Sequence, residues 1–367
     1  MIKICYDNKK KIEKIEKIIQ KKRKKKKINF KNSKGIFIYG DNFDGMIGLL
    51  ENFENKIDLI YIDPPFNTNS NFYYNEKKTS TISVSKDDII AYSDKMNFED
   101  YLEFIRERLV LIKMLLSDKG TLYFHIDCKV GHYIKIILDE IFGADNFIND
   151  ITRIKGNPKN FKRKAYGNQK DLVLFYAKNK GKHIFNDITE PLELEEIEKR
   201  FNKIDIDGRR YNTIPLHAPE ESQGETGGEF LGILPPEGRH WRTSPKVLEK
   251  LNEEGLIEWS KNGVPRLKKF ADEHKGKKIQ DVWKNYKDSQ QPIYPTEKNY
   301  EMLSMIIKQS SNENSIIMDC FCGSSSFLSA GIENNRYVIG IDKSKIAKDI
   351  IKNKRKNLKD IFIVDLL

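Results

Sequence analysis

The chain alternates short apolar segments with longer amphipathic ones over most of its length. Short apolar runs with turn-rich borders predict buried strands at Ile36–Tyr39, Asp58–Ile62, Gly120–Ile126, Asp171–Lys178, Ser315–Asp319 and Arg336–Asp342. Helical spacing of apolar residues predicts helices over Phe98–Leu116, His132–Phe142, Tyr300–Gln309 and Ile346–Arg355, and a last apolar run covers Ile361–Leu367. Strands that alternate with helices predict an α/β fold with a parallel sheet covered on both faces.

The alternation is interrupted between residues 186 and 290, where charged residues, Gly and Pro are frequent and long apolar runs are few. This change predicts a separate module inserted into the α/β domain. The sequence therefore divides into a basic N-terminal helix or arm (1–34), a first α/β half (35–185), the insertion (186–290) and a second α/β half (291–367).

The N-terminal segment combines a helical pattern with a run of positive charge. Ile12, Ile15, Ile18 and Ile19 are spaced for one helix face, and "KKRKKKK" follows at Lys21–Lys27. Two interpretations stay open for the basic run: a solvated helix end, or an arm that binds phosphates. The formal net charge of +11, from 65 Lys and Arg against 54 Asp and Glu, favours a polyanionic partner.

The cysteines and histidines indicate neither a metal site nor a disulfide framework. Cys5, Cys128, Cys320 and Cys322 lack paired metal-ligand spacing, and the histidines are scattered. No apolar run has the length of a membrane span, and no signal peptide opens the chain. We therefore expect a cytoplasmic protein without a metal ion or a membrane partner.

The stretch Asp63-Pro64-Pro65-Phe66 directly follows an apolar strand. The amino group of a nucleobase is a poor nucleophile, and two acceptors aimed at its N–H bonds favour a pyramidal nitrogen. The Asp63 carboxylate and the Pro64 carbonyl can supply them, and Pro65 restricts the conformation of the residue before it. Phe66 offers a face for base stacking. The alternative is an ordinary turn at the end of a strand.

A second motif, "SIIMDCFCGSSSF" at Ser315–Phe327, reads as a strand, an acidic residue and a small-residue loop that opens a helix. Such a loop lets a ligand approach the backbone closely. It lacks G-x-G-x-x-G, so a dinucleotide site is not favoured. The next strand ends at Asp342, where a carboxylate can accept hydrogen bonds from ribose hydroxyls, although a structural role is the commoner one for such a residue alone.

These motifs together resemble those of the β-class amino DNA methyltransferases, which use S-adenosyl-L-methionine. Asp63–Phe66 matches the catalytic D-P-P-Y/F motif, and Asp319–Ser325 matches the cofactor motif D-x-F-x-G-S-G. Tyr294–Lys298 is similar to H-P-T-Q-K, and Tyr39–Phe43 to the I-x-G-D segment. The order of the motifs is that of the β class. The resemblance implies a class I, Rossmann-like, circularly permuted methyltransferase fold with a mostly parallel sheet and an inserted DNA-recognition domain.

The resemblance also implies which residues bind S-adenosyl-L-methionine. They are Asp41, Thr296, Lys298, Asp319, Phe321, Cys322, Gly323, Ser324 and Asp342. The chain departs from the family pattern at Ser325, where Gly is usual, at Phe327 (Thr), Tyr294 (His) and Asn299 (Pro). Ser fits the loop unless a positive φ is required at that position.

The implied substrate is an adenine N6 amino group in double-stranded DNA, because Asp at the first motif position goes with adenine in this family. The chemistry of the residues alone leaves N4-cytosine open, since both amino groups carry two N–H donors. The candidate partners besides double-stranded DNA are a restriction endonuclease subunit and a second copy of the chain, and the sequence leaves both open. Two rival classes are a methyltransferase acting on protein or RNA amides, where Asn would replace Asp63, and a DNA-binding subunit without chemistry.

Basic and aromatic side chains in the insertion are the candidates for DNA contacts. They are Arg209, Arg210, Arg239, Trp241, Arg242, Lys261, Arg266, Lys268 and Lys269. Phe161 and Tyr166, in the Asn157–Lys170 segment, are expected near the target base by resemblance. For any single Arg, a solvated loop is the commoner explanation, and the case rests on the region as a whole.

Overall fold

The structure, a computed structural model, describes residues 2–24, 28, 33–65, 70–74, 89–94, 96–156, 164–288, 297–353 and 356–366. The chain forms two compact units, Met1–Ile188 together with Gln280–Leu367, and Thr189–Ile279. The sequence placed the insertion at residues 186–290. Residues 280–288 belong to the first unit, because a short strand at Val282–Trp283 pairs with Thr152 and Arg153.

The strands and helices have the following bounds in chain order. The strands are β1 Gly35–Tyr39, β2 Ile57–Ile62, β3 Ser70–Tyr74, β4 Ile89–Asp94, β5 Leu116–Ile126, β6 Phe147–Ile154, β7 Lys170–Ala177, β8 Thr189–Glu190, β9 Lys203–Ile204, β10 Arg210–Pro215, β11 His217–Pro219, β12 Arg239–Trp241, β13 Ile257–Trp259, β14 Pro265–Phe270, β15 Lys277–Lys278, β16 Val282–Trp283, β17 Ile316–Asp319, β18 Tyr337–Asp342 and β19 Ile361–Asp365. The α-helices are α1 Ile12–Arg23, α2 Asn42–Phe53, α3 Phe98–Leu115, α4 Cys128–Phe142, α5 Leu194–Arg200, α6 Pro245–Glu253, α7 Tyr300–Ser310, α8 Ser326–Glu333 and α9 Lys345–Asn353.

The first unit is built on a sheet that has nine strands among the described residues, in the order β16-β6-β7-β5-β2-β17-β18-β1-β19. Neighbouring strands run parallel except at β7, which is antiparallel to both β5 and β6. The late strands β17 and β18 lie between β2 and β1, so the C-terminal part of the chain completes the middle of the sheet. This confirms the predicted Rossmann-like, circularly permuted fold with a mostly parallel sheet.

Helices cover both faces of this sheet. Alternate residues such as Ile36 and Ile38 of β1 face one core together with buried side chains of α1 to α4. On the other face, α8 approaches so closely that a Cβ at Gly331 would lie 2.5 Å from Val338 Cγ1 and 2.7 Å from Ile317 Cδ1. Because both faces are covered, the central strands read as continuous apolar runs in the sequence.

Helix α1 packs as part of the first unit. Ile15 and Ile19 are fully buried, as the helical spacing predicts. Its basic end is held to the unit, since Lys22 pairs with Asp44 at 2.9 Å and Arg23 with Glu54 at 2.9 Å. Residues 25–27 of the basic run lie outside the described residues.

The second unit has its own small core and antiparallel sheets. The larger sheet has the order β13-β14-β10-β9, and β11 pairs with β12. A buried cluster lies beside them and consists of Leu216, Phe230, Trp241, Leu248 and Ile257. An independent core of this kind is what a module inserted into another domain requires.

None of the helices in the described part of the chain has the length and apolarity to span a bilayer.

Candidate active site and DNA-binding surface

Four aspartates lie where four neighbouring strands of the first unit end. Asp63 follows β2, Asp319 ends β17, Asp342 ends β18, and Asp41 follows β1 by two residues. These strands are adjacent and parallel, so their carboxyl ends meet at one edge of the sheet. Ligands of open α/β sheets bind outside this edge, which makes it the candidate active site.

The small-residue loop after β17 is closed by hydrogen bonds from its own backbone. Asp319 Oδ1 accepts from the Phe321 N–H at 2.8 Å, and Asp342 Oδ2 accepts from the Gly323 N–H at 2.8 Å. The other oxygen of Asp342 accepts from the Ser344 N–H at 2.7 Å. The loop is thereby fixed between the ends of β17 and β18, where a ligand can approach its backbone.

The electrostatics of this edge suit a cationic ligand. Burial raises the pKa of Asp319 well above its usual range, and the nearby carboxylates of Asp63 and Asp342 raise it further. Burial also raises the pKa of Asp342. A ligand with a positive charge relieves the repulsion among these carboxyl groups. S-adenosylmethionine carries a sulfonium, an ammonium and ribose hydroxyls, so the residues present fit this cofactor.

Two departures from the family motif have physical counterparts in the structure. Ser325 has φ of +61°, in the left-handed region that favours glycine, so the condition under which Ser fits poorly is met. Phe327 is 2% exposed and stacks on Tyr61, with ring centroids 5.4 Å apart. The ring therefore belongs to the packing between α8 and β2.

Asp41 is held by residues that the sequence did not single out. Its carboxylate caps α2 by accepting from the Phe43 N–H at 2.9 Å, and Arg108 donates to its other oxygen at 3.1 Å. Asn42 donates to the Cys320 carbonyl at 2.8 Å, which ties the start of α2 to the small-residue loop after β17. Arg108 lies within a helix whose pattern is amphipathic, and nothing in its spacing marks it as a site residue.

Lys298 pairs with the catalytic candidate Asp63. Its ammonium contacts Oδ2 of Asp63, while Oδ1 is buried and has no hydrogen-bond partner among the described residues. The sequence predicted Lys298 as a cofactor ligand, and the structure places its ammonium on the carboxylate of Asp63. Pro64 and Pro65 follow Asp63 without regular secondary structure, whereas Phe66 and Thr296 lie outside the described residues.

A buried polar network, not anticipated from the sequence, lies beside Asp63. Tyr61 donates to His125 Nδ1 at 2.8 Å, and His125 Nε2 donates to Asp171 at 3.3 Å. Asp171 also accepts from Lys155 at 2.7 Å and from Arg153 at 3.5 Å. Burial lowers the pKa of His125, so the ring is neutral. Burial also opposes the ionisation of Asp171, but the interactions with His125 and Lys155 hold the pKa of its carboxyl well below the usual range.

In the second unit, three arginines form a cluster around His217, which we call the arginine cluster (Arg239, Arg242 and Arg266). Arg239 donates to His217 Nδ1 at 3.1 Å, Arg242 to the Pro215 carbonyl at 3.2 Å, and Arg266 to Thr213 Oγ1 at 2.8 Å. Burial and these three guanidinium groups lower the pKa of His217. In the described part of the chain, none of the three arginines is in an ion pair, so their charge is available to an anionic ligand.

The other predicted DNA contacts fall into three groups. Lys261 and Lys269 are exposed, without an ion pair among the described residues, and Tyr166 is fully exposed. Three of the predicted residues form ion pairs with acidic side chains. Arg209 pairs with Asp272 and Glu273, Arg210 with Glu198, and Lys268 with Asp205. Trp241 is 1% exposed and donates to the Gly228 carbonyl at 2.9 Å, so it serves the core of this unit. Phe161 lies outside the described residues.

Comparison with known proteins now assigns the family. A family model described as DNA methylase (N6_N4_Mtase) matches residues 57–353, which include both motifs. The chain belongs to this DNA methylase family. This protein is therefore a DNA methyltransferase, and its cofactor is S-adenosylmethionine.

The chain is also similar to individual proteins. The type II methyltransferase M.EcaI of Enterobacter cloacae is 39% identical over 86% of this chain and 68% of its own length. The StyLTI Mod subunit, from a type III restriction-modification enzyme of Salmonella typhimurium, is 26% identical over 80% of this chain and 49% of its own. Among solved structures, the crystal structure of M1.HpyAVI is 16% identical with a TM-score of 0.46, covering 88% of this chain and 98% of that chain.

Proposed function

We propose that this DNA methyltransferase methylates the N6 amino group of an adenine that is flipped out of double-stranded DNA. The observation that carries the proposal is the position of Asp63-Pro64-Pro65 at the carboxyl end of β2, next to the small-residue loop that follows β17. S-adenosylmethionine supplies an electrophilic methyl group when it is bound. A flipped base is the geometry that brings an exocyclic amino group into such a pocket.

Asp63 and Pro64 act on the amino group in this proposal. One N–H donates to the Asp63 carboxylate and the other to the Pro64 carbonyl, which turns the nitrogen lone pair towards the methyl group. The nitrogen would form one bond to the methyl carbon while the bond between that carbon and the sulfonium sulfur breaks and leaves a neutral thioether. The nitrogen would give up one proton to its hydrogen-bonded acceptor, Asp63. Acceptors fixed in advance cost no reorganisation during the reaction, which is how such a site accelerates it.

The second unit is proposed as the part that recognises DNA, together with the arginine cluster as its contact surface. Arginines free of acidic partners can bind phosphates or pair in a bidentate manner with guanine. The relation to type III Mod subunits supports a restriction endonuclease subunit as a partner, and a homodimer is proposed as the assembly. We retain N4-cytosine as the second candidate substrate, because Asp63 and Pro64 can accept equally from either amino group.

The test is to incubate the purified protein with unmethylated plasmid DNA and S-adenosylmethionine, and to identify the methylated nucleoside by mass spectrometry. N6-methyladenine is the expected product. N4-methylcytosine would replace the adenine proposal with the cytosine one, and DNA binding without any methylated base would favour the non-catalytic class. Asp63→Ala is the matched variant: losing this acceptor costs about 3 kcal/mol in the transition state, or roughly a hundredfold in rate, while the cofactor still binds.

A further inference from the structure

The three residues that precede helix α7 contact three separate segments of the first unit. Glu297 accepts from Ser326 Oγ at 2.8 Å, and Ser326 begins α8 directly after the small-residue loop. Lys298 contacts Asp63 at the end of β2. Asn299 caps α7 by accepting from the Met302 N–H at 2.8 Å and donates to the Lys287 carbonyl at 2.9 Å. The backbone that carries Lys298 is therefore anchored immediately on either side of it.

The two oxygens of the Asp63 carboxylate differ in their contacts. The Lys298 ammonium holds Oδ2, and the side chain of Lys298 is only 9% exposed, so the pair is shielded from water. Oδ1 remains a buried acceptor without a hydrogen-bond partner among the described residues. An acceptor that has already lost its water gains the full benefit of a hydrogen bond from an entering amino group.

We infer that Lys298 is a positioning residue, which fixes the Asp63 carboxylate through Oδ2 and thereby presents Oδ1 to the amino group of the target base. This inference rests on the proposed function and assigns Lys298 a role other than binding the cofactor. Without the ammonium, the carboxylate is free to rotate about its side-chain bonds, and the productive orientation becomes one of several. Misplacing a reacting or contacting group by a fraction of its bonding distance is costly for catalysis.

The experiment separates this role from cofactor binding by measuring the two quantities independently. Lys298→Met keeps most of the side-chain length and removes the charge. We expect single-turnover methyl transfer to fall at least tenfold, with calorimetric affinity for S-adenosylmethionine unchanged within about twofold. Lys298→Arg should recover part of the rate. Lys308→Met, at an exposed position of α7, is the control and should transfer methyl groups at the wild-type rate.

A double-mutant cycle tests whether Lys298 acts through Asp63. In the Asp63→Asn background, Lys298→Met should lower the remaining transfer rate by less than about threefold, because the group that it positions has already been altered. A loss of cofactor affinity as large as the loss of rate, or the same tenfold loss in both backgrounds, would overturn the inference. If Lys298→Met does not fold, Lys298→Gln takes its place in both backgrounds.

The outcomes remain distinct from those of the proposed function, because total methyl transfer is counted whichever base is modified. Methylated cytosine would refute the adenine proposal and leave the role of Lys298 to be decided by the cycle.

Discussion

The backbone N–H of Gly323 donates to the carboxylate of Asp342 at 2.8 Å, and this contact joins the loop after β17 to the end of the neighbouring strand β18. Gly323 has φ of +44°, so the loop reaches Asp342 through a left-handed turn. The acidic strand end and the glycine are therefore parts of one local structure. Both motif positions depend on the same geometry, although they are separated by 19 residues in the chain.

Replacing Gly323 with Val is expected to lower the affinity for S-adenosylmethionine by at least tenfold. A β-branched residue is strained at positive φ, by roughly 1–2 kcal/mol, and its side chain occupies space beside the loop backbone. Calorimetric titration measures the effect. The control is Gly181→Val, since Gly181 has φ of +88° in a turn with open space around it. The control should lose stability and keep its affinity for S-adenosylmethionine. If Gly323→Val binds S-adenosylmethionine as tightly as the control does, the loop is not the cofactor site.

Ser325→Gly is expected to raise the free energy of unfolding by about 1 kcal/mol, because glycine adopts the +61° φ of this position without steric cost. Ser325→Ala separates the backbone effect from the contact that Cys322 Sγ makes with Ser325 Oγ at 3.4 Å. Denaturant titration of the three proteins measures both differences. A glycine variant that is less stable than wild type would show that the hydroxyl matters more than the backbone strain.

The pattern of the sequence was sufficient for most of the central sheet but not for α2. The predicted strands at Ile36–Tyr39 and Asp58–Ile62 are present as β1 and β2, each within one residue of the expected start. Helix α2 has almost no polar face, and Gly48 lies where a Cβ would come within 2.5 Å of Ile28. A helix that is buried nearly all round gives no amphipathic signal, and glycine lowers its propensity further.

Site residues could be predicted from the sequence where they lie at the end of a strand. Contacts between residues that are distant in the chain could not be predicted. Asp63, Asp319 and Asp342 could be located because each follows or ends an apolar strand. The contact between Lys298 and Asp63 joins residues 235 positions apart (298 − 63) and depends on the start of α7 lying over β2. In the same way, local sequence does not show that Arg209 forms ion pairs with Asp272 and Glu273.

The buried His125 is expected to make stability depend on pH. Burial lowers its pKa below the ordinary value of 6.5, against the opposing effect of Asp171. As the pH falls below about 6.5, the unfolded chain takes up a proton at this residue and the folded chain does not, so the free energy of unfolding decreases by up to about 1.4 kcal/mol per pH unit. The loss begins at the ordinary histidine pKa and ends once the pH has passed the lower folded value.

The variant His125→Gln removes this titration, and unfolding measured between about pH 6.5 and 5 should then show a shallower dependence on pH. His132→Gln, at an exposed position of α4, is the control and should keep the wild-type slope. Parallel curves for wild type and His125→Gln would show that the folded state carries a protonated ring.

The arginine cluster is expected to contact DNA, and Arg239 and Arg242 test this against Arg209. Arg239 and Arg242 are exposed without an ion pair among the described residues, whereas Arg209 is held by Asp272 and Glu273. An arginine on a phosphate weakens binding to every sequence when it is changed to Gln, and it lowers the salt slope of the binding constant by about 0.9. Loss of an arginine that pairs with guanine costs about 1–3 kcal/mol of binding energy at one base pair and relaxes the sequence specificity of methylation there.

Binding titrations at several salt concentrations, with sequencing of the methylated sites, distinguish the two roles. Arg209→Gln should match wild type in both measurements. If it is impaired as strongly as the cluster variants, an ion pair with an acidic residue does not distinguish the arginines that contact DNA from those that do not.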